Sequence, residues 1–337
     1  MKSANVPSDP CAILVRRGGA ILPVMRLFLY GETAVQWWAH ARGFDRASEA
    51  ARFDASVLRE CAPSVKTIRY LVETFPFLSP PYHVLASSDA DKRALGSVVV
   101  HVSGFPYGGG SFIRVAGGVY VPSPELCFAQ FAGNSTLIRS IKEGFALCGS
   151  FALDESSETG LSARRPVAST RSLGCFLDSH SRLHGTAKAR RAIRWVMDGS
   201  ASPRESDLAM RLTLPQRLGG FGIPGARLNR RIDPQKLASR LTDSEYFVGD
   251  LCWEREKLVV EYDSDLHLTS SGLAHDAEKR GVLEEDGYKV ITVTKLQLDS
   301  PVEMARIAWR IGRHLGIRVR IQNPDFNRLQ TELFRLG

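Results

Sequence analysis

The sequence predicts a mixed α/β (α+β) chain built from two units, and three observations carry that prediction. Up to Pro124 the apolar stretches are short, rich in β-branched and aromatic residues, and cut by Gly, Pro and Ser. Beyond residue 202 the pattern changes to helix, β-hairpin, helix, strand, helix. At 337 residues the chain also exceeds the roughly 100–200 of a usual domain, so it can bury two cores.

Residues 26–42, RLFLYGETAVQWWAHAR, read as a strand, a turn and the start of a helix carrying Val35, Trp37 and Trp38. PYHVLASS (81–88), GSVVVHVS (96–103) and SFIRVAGGVYVPSP (111–124) are β-rich and broken by turn residues. From Pro124 onward Leu126, Phe128, Phe131, Leu137, Ile141 and Phe145 recur at helical spacing. Periodicity lapses in DESSETGLSARRPVASTRS (154–172), the best linker candidate, although an ordered loop fits the same composition. RSLGCFLDSH and GTAKARRAIRWVMDGS follow as two helices. The expected partition is an accessory α+β module over 1–153, a linker and helical connector over 154–200, and a second domain over 201–337.

In that second domain SPRESDLAMRLTLPQRL starts a helix and EYFVGDLCWEREKLVVEYD forms two strands around a turn. SGLAHDAEKRGVLEED is a helix with Gly287 at the position a C′ glycine takes, and YKVITVT is a strand. PVEMARIAWRIGRHLGI closes the domain as an amphipathic helix.

Composition bounds the function. With 44% apolar and 24% charged residues the chain reads as globular, neither disordered nor fibrous. A net charge of +8 favours a polyanionic partner and equally suits plain solubility. Six cysteines without a CxxC pair fit neither a disulfide scaffold nor a zinc site of the usual spacing. CAILVRRGGAILPVMRLFLYG is too interrupted for a signal peptide, and no apolar run approaches the ~18 residues of a membrane span. The expectation is a reduced, cytoplasmic protein with no membrane partner.

The chemistry concentrates in VGDLCWEREKLVVEYDSDLHL (248–268). Strand alternation puts Glu261 and Asp263 on one face with Val259. A turn at Glu254–Lys257 with an even loop sets Asp250 opposite Glu261, about 4.5–5.5 Å apart at Cβ. Two carboxylates that close repel, and a hard divalent cation such as Mg²⁺ relieves both. An odd loop shifts the register, and solvent-face carboxylates at an edge are the plain alternative. Upstream, Ser202, Pro203 and Glu205 spell a capping box, which by itself accounts for Glu205.

The ordered run SPRESDLAMRL, VGDLCWEREKLVVEYDSDLHL and HDAEKRGVLEEDGYKVITVT resembles the PD-(D/E)xK nuclease superfamily, in the branch related to very-short-patch repair endonucleases. The likeness covers roughly residues 200–315. It implies a restriction-endonuclease-like domain with a central mixed β-sheet flanked by helices. Onto its motif positions fall Glu205, Asp250, Glu261, Asp263, His267, Asp276, Lys279 or Arg280, and Gly287-Tyr288. Asp263 stands where the superfamily name puts Lys and Ser264 replaces a usual Gly, so Lys279 or Arg280 would have to supply the cation near the phosphate. An ordinary Asp276–Arg280 helix pair is the other reading. The resemblance implies hydrolysis of a DNA phosphodiester. Asp250, Glu261 and the Tyr262 backbone carbonyl would hold Mg²⁺ (or Mn²⁺), with Glu205 helping directly or through water; His267 would be a base behind these ligands or a phosphate contact, and equally fits a turn residue after the strand. DNA repair or phage defence are the settings it implies.

LYGETAVQWW, PYHVLASS, VVVHVS, GGVYVPSPELCFAQFA and ARRAIRWVMDGSASPRES are similar to the antitoxin-type module of abortive-infection toxin–antitoxin systems, without the usual N-terminal winged helix. That likeness implies a partner protein. The alternative to a nuclease is therefore a catalytically silent nucleic-acid-binding or antitoxin-like protein that retains the fold. Lys188, Arg190, Arg191, Arg194, Arg230, Arg231 and Arg280 are the candidate nucleic-acid contacts, a charge run on a helix being otherwise a solvated face.

Overall fold

The structure, a computed structural model, describes residues 26–42, 61, 63–92, 95–235, 238–263 and 270–336, with the side chains of 270–276 left aside. Its first unit is a five-stranded mixed sheet. β1 (Leu27–Leu29) runs antiparallel to β2 (Tyr82–Ala86) and parallel to β5 (Val119–Pro122). β3 (Val98–Val102) and β4 (Phe112–Ala116) form its edges. The helices α1 (Gly31–His40), α2 (Val65–Thr74), α3 (Pro124–Asn134) and α4 (Leu137–Leu147) complete the layer. The helical spacing beyond Pro124 is two helices: Thr136 accepts the Arg139 N–H at 3.3 Å and so starts α4 afresh.

The segment expected as a linker is ordered. β6 (Phe151–Leu153) and β7 (Leu161–Ala163) form a two-stranded antiparallel sheet. Asp154 accepts the Ser156 N–H at 2.9 Å and its hydroxyl at 2.6 Å, which builds the turn from side chains. Arg164, buried, donates to the carbonyls of Trp38, Ala41 and Ala146. The polar composition that looked like a linker is spent on these bonds. Likewise α5 (Thr170–Ser179) and α6 (Thr186–Ile193) pack on α3 and α4.

The second unit holds α7 (Pro203–Thr213), β8 (Arg227–Ile232), β9 (Phe247–Trp253), β10 (Leu258–Asp263) and α8 (Ser270–Glu285). It continues with β11 (Lys289–Thr294), α9 (Lys295–Asp299), α10 (Pro301–His314) and α11 (Phe326–Phe334). Its sheet order is β11-β10-β9-β8, with β10–β11 parallel and the other pairs antiparallel. Gly287 does end α8 in the left-handed region, at φ +78°.

One face of this sheet, with Leu251, Trp253, Leu258, Val260 and Ile291, joins a continuous core that runs from Leu27 to Leu333. The other face carries a small cluster of Ile232, Cys252, Val259 and Leu283 under α8. Helix α7 is buried from Glu205 to Leu212 and ties the units together, since Asp207 on it accepts from Lys142 of α4 at 2.9 Å. Apolar core and ion pair both contact the start of α7, where Glu205 lies. No helix among the described residues is long and apolar enough to cross a membrane.

Candidate functional site

The β9–β10 turn falls where strand alternation puts it. Trp253 opposes Leu258, Cys252 opposes Val259 and Leu251 opposes Val260. The next position in that register sets Asp250 opposite Glu261, but the ladder stops short of it. Asp250 instead accepts the Tyr262 N–H through its carboxylate, at 2.8 Å. The residue before it must be small: a Cβ on Gly249 would lie 2.5 Å from Cys252 Sγ and 2.9 Å from Val259 Cγ1. Lys279 reaches in from α8. Its Nζ lies 2.8 Å from Glu261 Oε2 and donates to the Val248 carbonyl at 2.6 Å.

Glu205 enters from the start of α7. Ser202 caps the helix by accepting the Glu205 N–H at 3.1 Å. The reciprocal half of the expected capping box is absent. Glu205 Oε2 takes the Ala201 N–H at 2.9 Å and the Asn229 side-chain amide at 2.6 Å. Asn229 is a residue that sequence pattern does not point to, and it lies on β8, the other neighbour of β9.

These groups feel one another. The Asp250 carboxyl is pushed well above the ordinary carboxylate range by burial, then by Glu261 and then by Glu205. The Tyr262 N–H and the Lys279 ammonium pull it part of the way back. The three carboxylates thus act on one another, and Lys279 pairs directly with Glu261. Among the described residues no group of three or more His, Cys, Asp and Glu could hold a metal ion. Asp250 and Glu261 are nevertheless the hard oxygen pair that suits Mg²⁺, which is commonly held by one or two carboxylates and keeps several waters.

Other expected site residues stand apart. Asp263 is exposed, two residues beyond Glu261 and in register with Thr294, and makes no hydrogen bond to the others among the described residues. Arg280 donates to Thr292 Oγ1 at 2.6 Å, so of the two candidate cations it is Lys279 that meets the carboxylates. His267 and the Asp276 side chain lie outside the described residues. The expected nucleic-acid contacts divide. Lys188 donates to Ser135 O at 2.6 Å and Arg190 to Leu177 O at 2.9 Å, each satisfying carbonyls at the end of a neighbouring helix. Arg230 pairs with Glu254, while Arg231 pairs with Asp233 at 2.6 Å and lies over the Tyr246 ring. Arg191 and Arg194 are exposed with no ion pair among the described residues.

A separate concavity lies away from these carboxylates. A groove of about 580 Å³ lined by Arg217, Arg318 and Arg320 lies beyond the C-terminal end of α7, at the opposite end of that helix from Glu205. Two arginines of α7 hold the end of α9. Arg204 pairs with Asp299 at 2.6 Å and lies 5.8 Å over the Tyr262 ring, and Arg211, 1% exposed, donates to the Leu298 carbonyl. Comparison of the chain with protein-family models, curated proteins and solved structures finds no match.

Proposed function

We propose that this chain is a metal-dependent endonuclease of the PD-(D/E)xK kind that hydrolyses DNA phosphodiester bonds, with a restriction-endonuclease-like second unit. The observation that carries the reading is the Asp250–Glu261–Lys279 constellation: two carboxylates brought together by adjacent strands and one ammonium delivered to them from a helix. A buried like-charge pair raises the energy of the empty protein, and a fold keeps such a pair where a cation or a developing charge uses it.

Asp250 and Glu261 would hold Mg²⁺ or Mn²⁺, with Glu205 contributing through water. When bound, the cation lowers the pKa of its water and offsets charge building on the phosphate. The protein's own part is fixed by its geometry. The Tyr262 N–H orients Asp250, and Lys279 places a positive charge beside Glu261, in the role the superfamily's motif lysine has and Asp263 cannot fill. Asp263 is accordingly not part of this proposed reaction centre.

A second reading has its own support. The Lys279–Glu261 pair, each side chain 18% exposed, compensates Glu261 without any metal, as a catalytically silent nucleic-acid-binding or antitoxin-like protein would need. The experiment that separates them is cleavage of duplex, nicked, mismatched and single-stranded DNA with and without Mg²⁺, using wild type and Glu261→Gln. Mg²⁺-dependent products from wild type, reduced by orders of magnitude in the variant while DNA binding persists, support the nuclease. DNA binding without cleavage of any substrate supports the silent protein.

A further inference from the structure

Asn229 has a backbone that its strand does not explain. At φ +47° it is in the left-handed region, which costs a non-glycine residue roughly 1 kcal/mol. Lys257, the other described non-glycine residue with positive φ, sits in the β9–β10 turn, whereas Asn229 lies inside β8. Its neighbours pair normally, Leu228 with Leu251 and Arg230 with Gly249, which sets Asn229 opposite Asp250. The strand changes face there. Leu228 packs into the main core and Ile232 into the cluster under α8, although residues four apart on a regular strand share a face.

The side chain explains what the distortion accomplishes. One amide nitrogen serves two acceptors, Gly199 O at 2.9 Å and Glu205 Oε2 at 2.6 Å. Because both partners only accept, the amide can take a single orientation. The Ala201 N–H reaches the same Oε2 atom, so two donors grip one oxygen of Glu205. Its Oε1 has no hydrogen bond among the described residues. Since Asn229 stands opposite Asp250 across β8 and β9, its bond to Glu205 Oε2 brings that carboxylate to the Asp250 position of the sheet.

From this geometry we infer that Asn229 is a positioning residue: it clamps Oε2 of Glu205 and thereby presents the carboxylate to the cation site beside Asp250. The inference rests on the nuclease reading above. It concerns a residue that the motif pattern of the sequence does not single out. Outer partners of this type set metal affinity, and removing them typically weakens binding 10- to 100-fold.

Asn229→Gly is the informative variant, because glycine accepts φ +47° freely while the amide is removed. The probe is Mn²⁺ alone, titrated into the full chain by isothermal calorimetry, beside Glu205→Gln and the double variant. The expected result is a folded chain with a metal-free Tm at or somewhat below wild type, because relieved strain offsets only part of the lost hydrogen bonds, and Mn²⁺ affinity at least tenfold weaker. Adding Glu205→Gln to Asn229→Gly should then cost little more, because both changes act through one carboxylate. Wild-type Mn²⁺ affinity in Asn229→Gly, or losses that add fully in the double variant, would overturn the inference and leave the nuclease reading intact. A wild-type chain that neither binds Mn²⁺ nor cleaves DNA would remove both.

Discussion

Lys279 Nζ sits 2.8 Å from Glu261 Oε2, and this one ion pair joins α8 to the end of β10. The ammonium also lowers the proton affinity of Asp250, so it compensates both carboxylates of the hairpin. Lys279→Met keeps the length of the side chain and removes that charge. The metal-free protein should lose about 1–3 kcal/mol, the range for leaving a partly buried charge without its partner. Mn²⁺ should then restore Tm more in the variant than in wild type, because a ligand that binds only the folded chain stabilises it by mass action. Thermal unfolding with and without Mn²⁺ checks this. A variant whose Tm ignores Mn²⁺ altogether would speak against a cation site at these residues.

Asp250 gives a prediction with a definite sign. Its carboxyl is raised well above the ordinary range in the folded chain, chiefly by burial and next by Glu261, while an unfolded Asp titrates near about 3.9. Between those two values the folded state holds the proton and the unfolded state does not. Stability therefore falls as pH rises through that window, and the loss is complete above the folded value. Asp250→Asn keeps an oxygen for the Tyr262 N–H and cannot ionise. In metal-free buffer it should unfold at a higher temperature than wild type at about pH 8, and at the same temperature near about pH 4. A variant less stable than wild type at the higher pH would mean that Asp250 is held ionised and favourably paired.

The hairpin was legible because its signals are local. Strand alternation and a short turn place Asp250 against Glu261; the structure has the register from Trp253–Leu258 to Leu251–Val260, and the ladder ends one step before that pair. Glu205 was legible as a cap residue, but its partner is Asn229 on a strand that ARLNRRI does not announce, having only Leu228 and Ile232 as well-spaced apolar residues after Ala226. A left-handed asparagine inside a strand leaves no trace in apolar periodicity. Lys188 and Arg190 have a structural role that was hidden for a different reason. Their long side chains turn back to carbonyls at the ends of α3 and α5, a tertiary choice that a run of charges on one helix cannot reveal. The supposed linker had the composition of a loop, and the bonds of Asp154 and Arg164 that order it span distant parts of the chain.

The first unit contains its own titrating pair. His83 Nδ1 and His101 Nε2 are 2.9 Å apart across β2 and β3, and the His101 ring stacks on Tyr30 at 4.2 Å. Burial, then His83 and Lys92, lowers His101 to about 4, and burial lowers His83 as well. An unfolded His binds its proton near about 6.5, so the unfolded chain gains protons first as pH falls. Stability should therefore drop between about pH 6.5 and 4, and flatten below. His101→Gln should remove much of that acid slope in a series of urea unfolding curves. An unchanged slope would assign the acid sensitivity to other groups.

The cations of α6 can be sorted by what each now holds. Lys188 and Arg190 satisfy carbonyls at the ends of α3 and α5, so changing either to Met should lower Tm, by about 0.5–1.5 kcal/mol of stability for each hydrogen bond removed. Arg191 and Arg194 are exposed and make no ion pair among the described residues. Changing both to Gln should leave Tm unchanged, since neither side chain makes a hydrogen bond or ion pair among the described residues. If this face of α6 meets DNA, the same double variant should weaken binding alike on every sequence. It should also reduce the slope of log affinity against log salt by up to about two, roughly one for each phosphate that is no longer neutralised. Fluorescence anisotropy at several salt concentrations reads both quantities. A slope identical to wild type would make Arg191 and Arg194 solvated residues only, and would leave the binding charge to be sought in the groove of Arg217, Arg318 and Arg320.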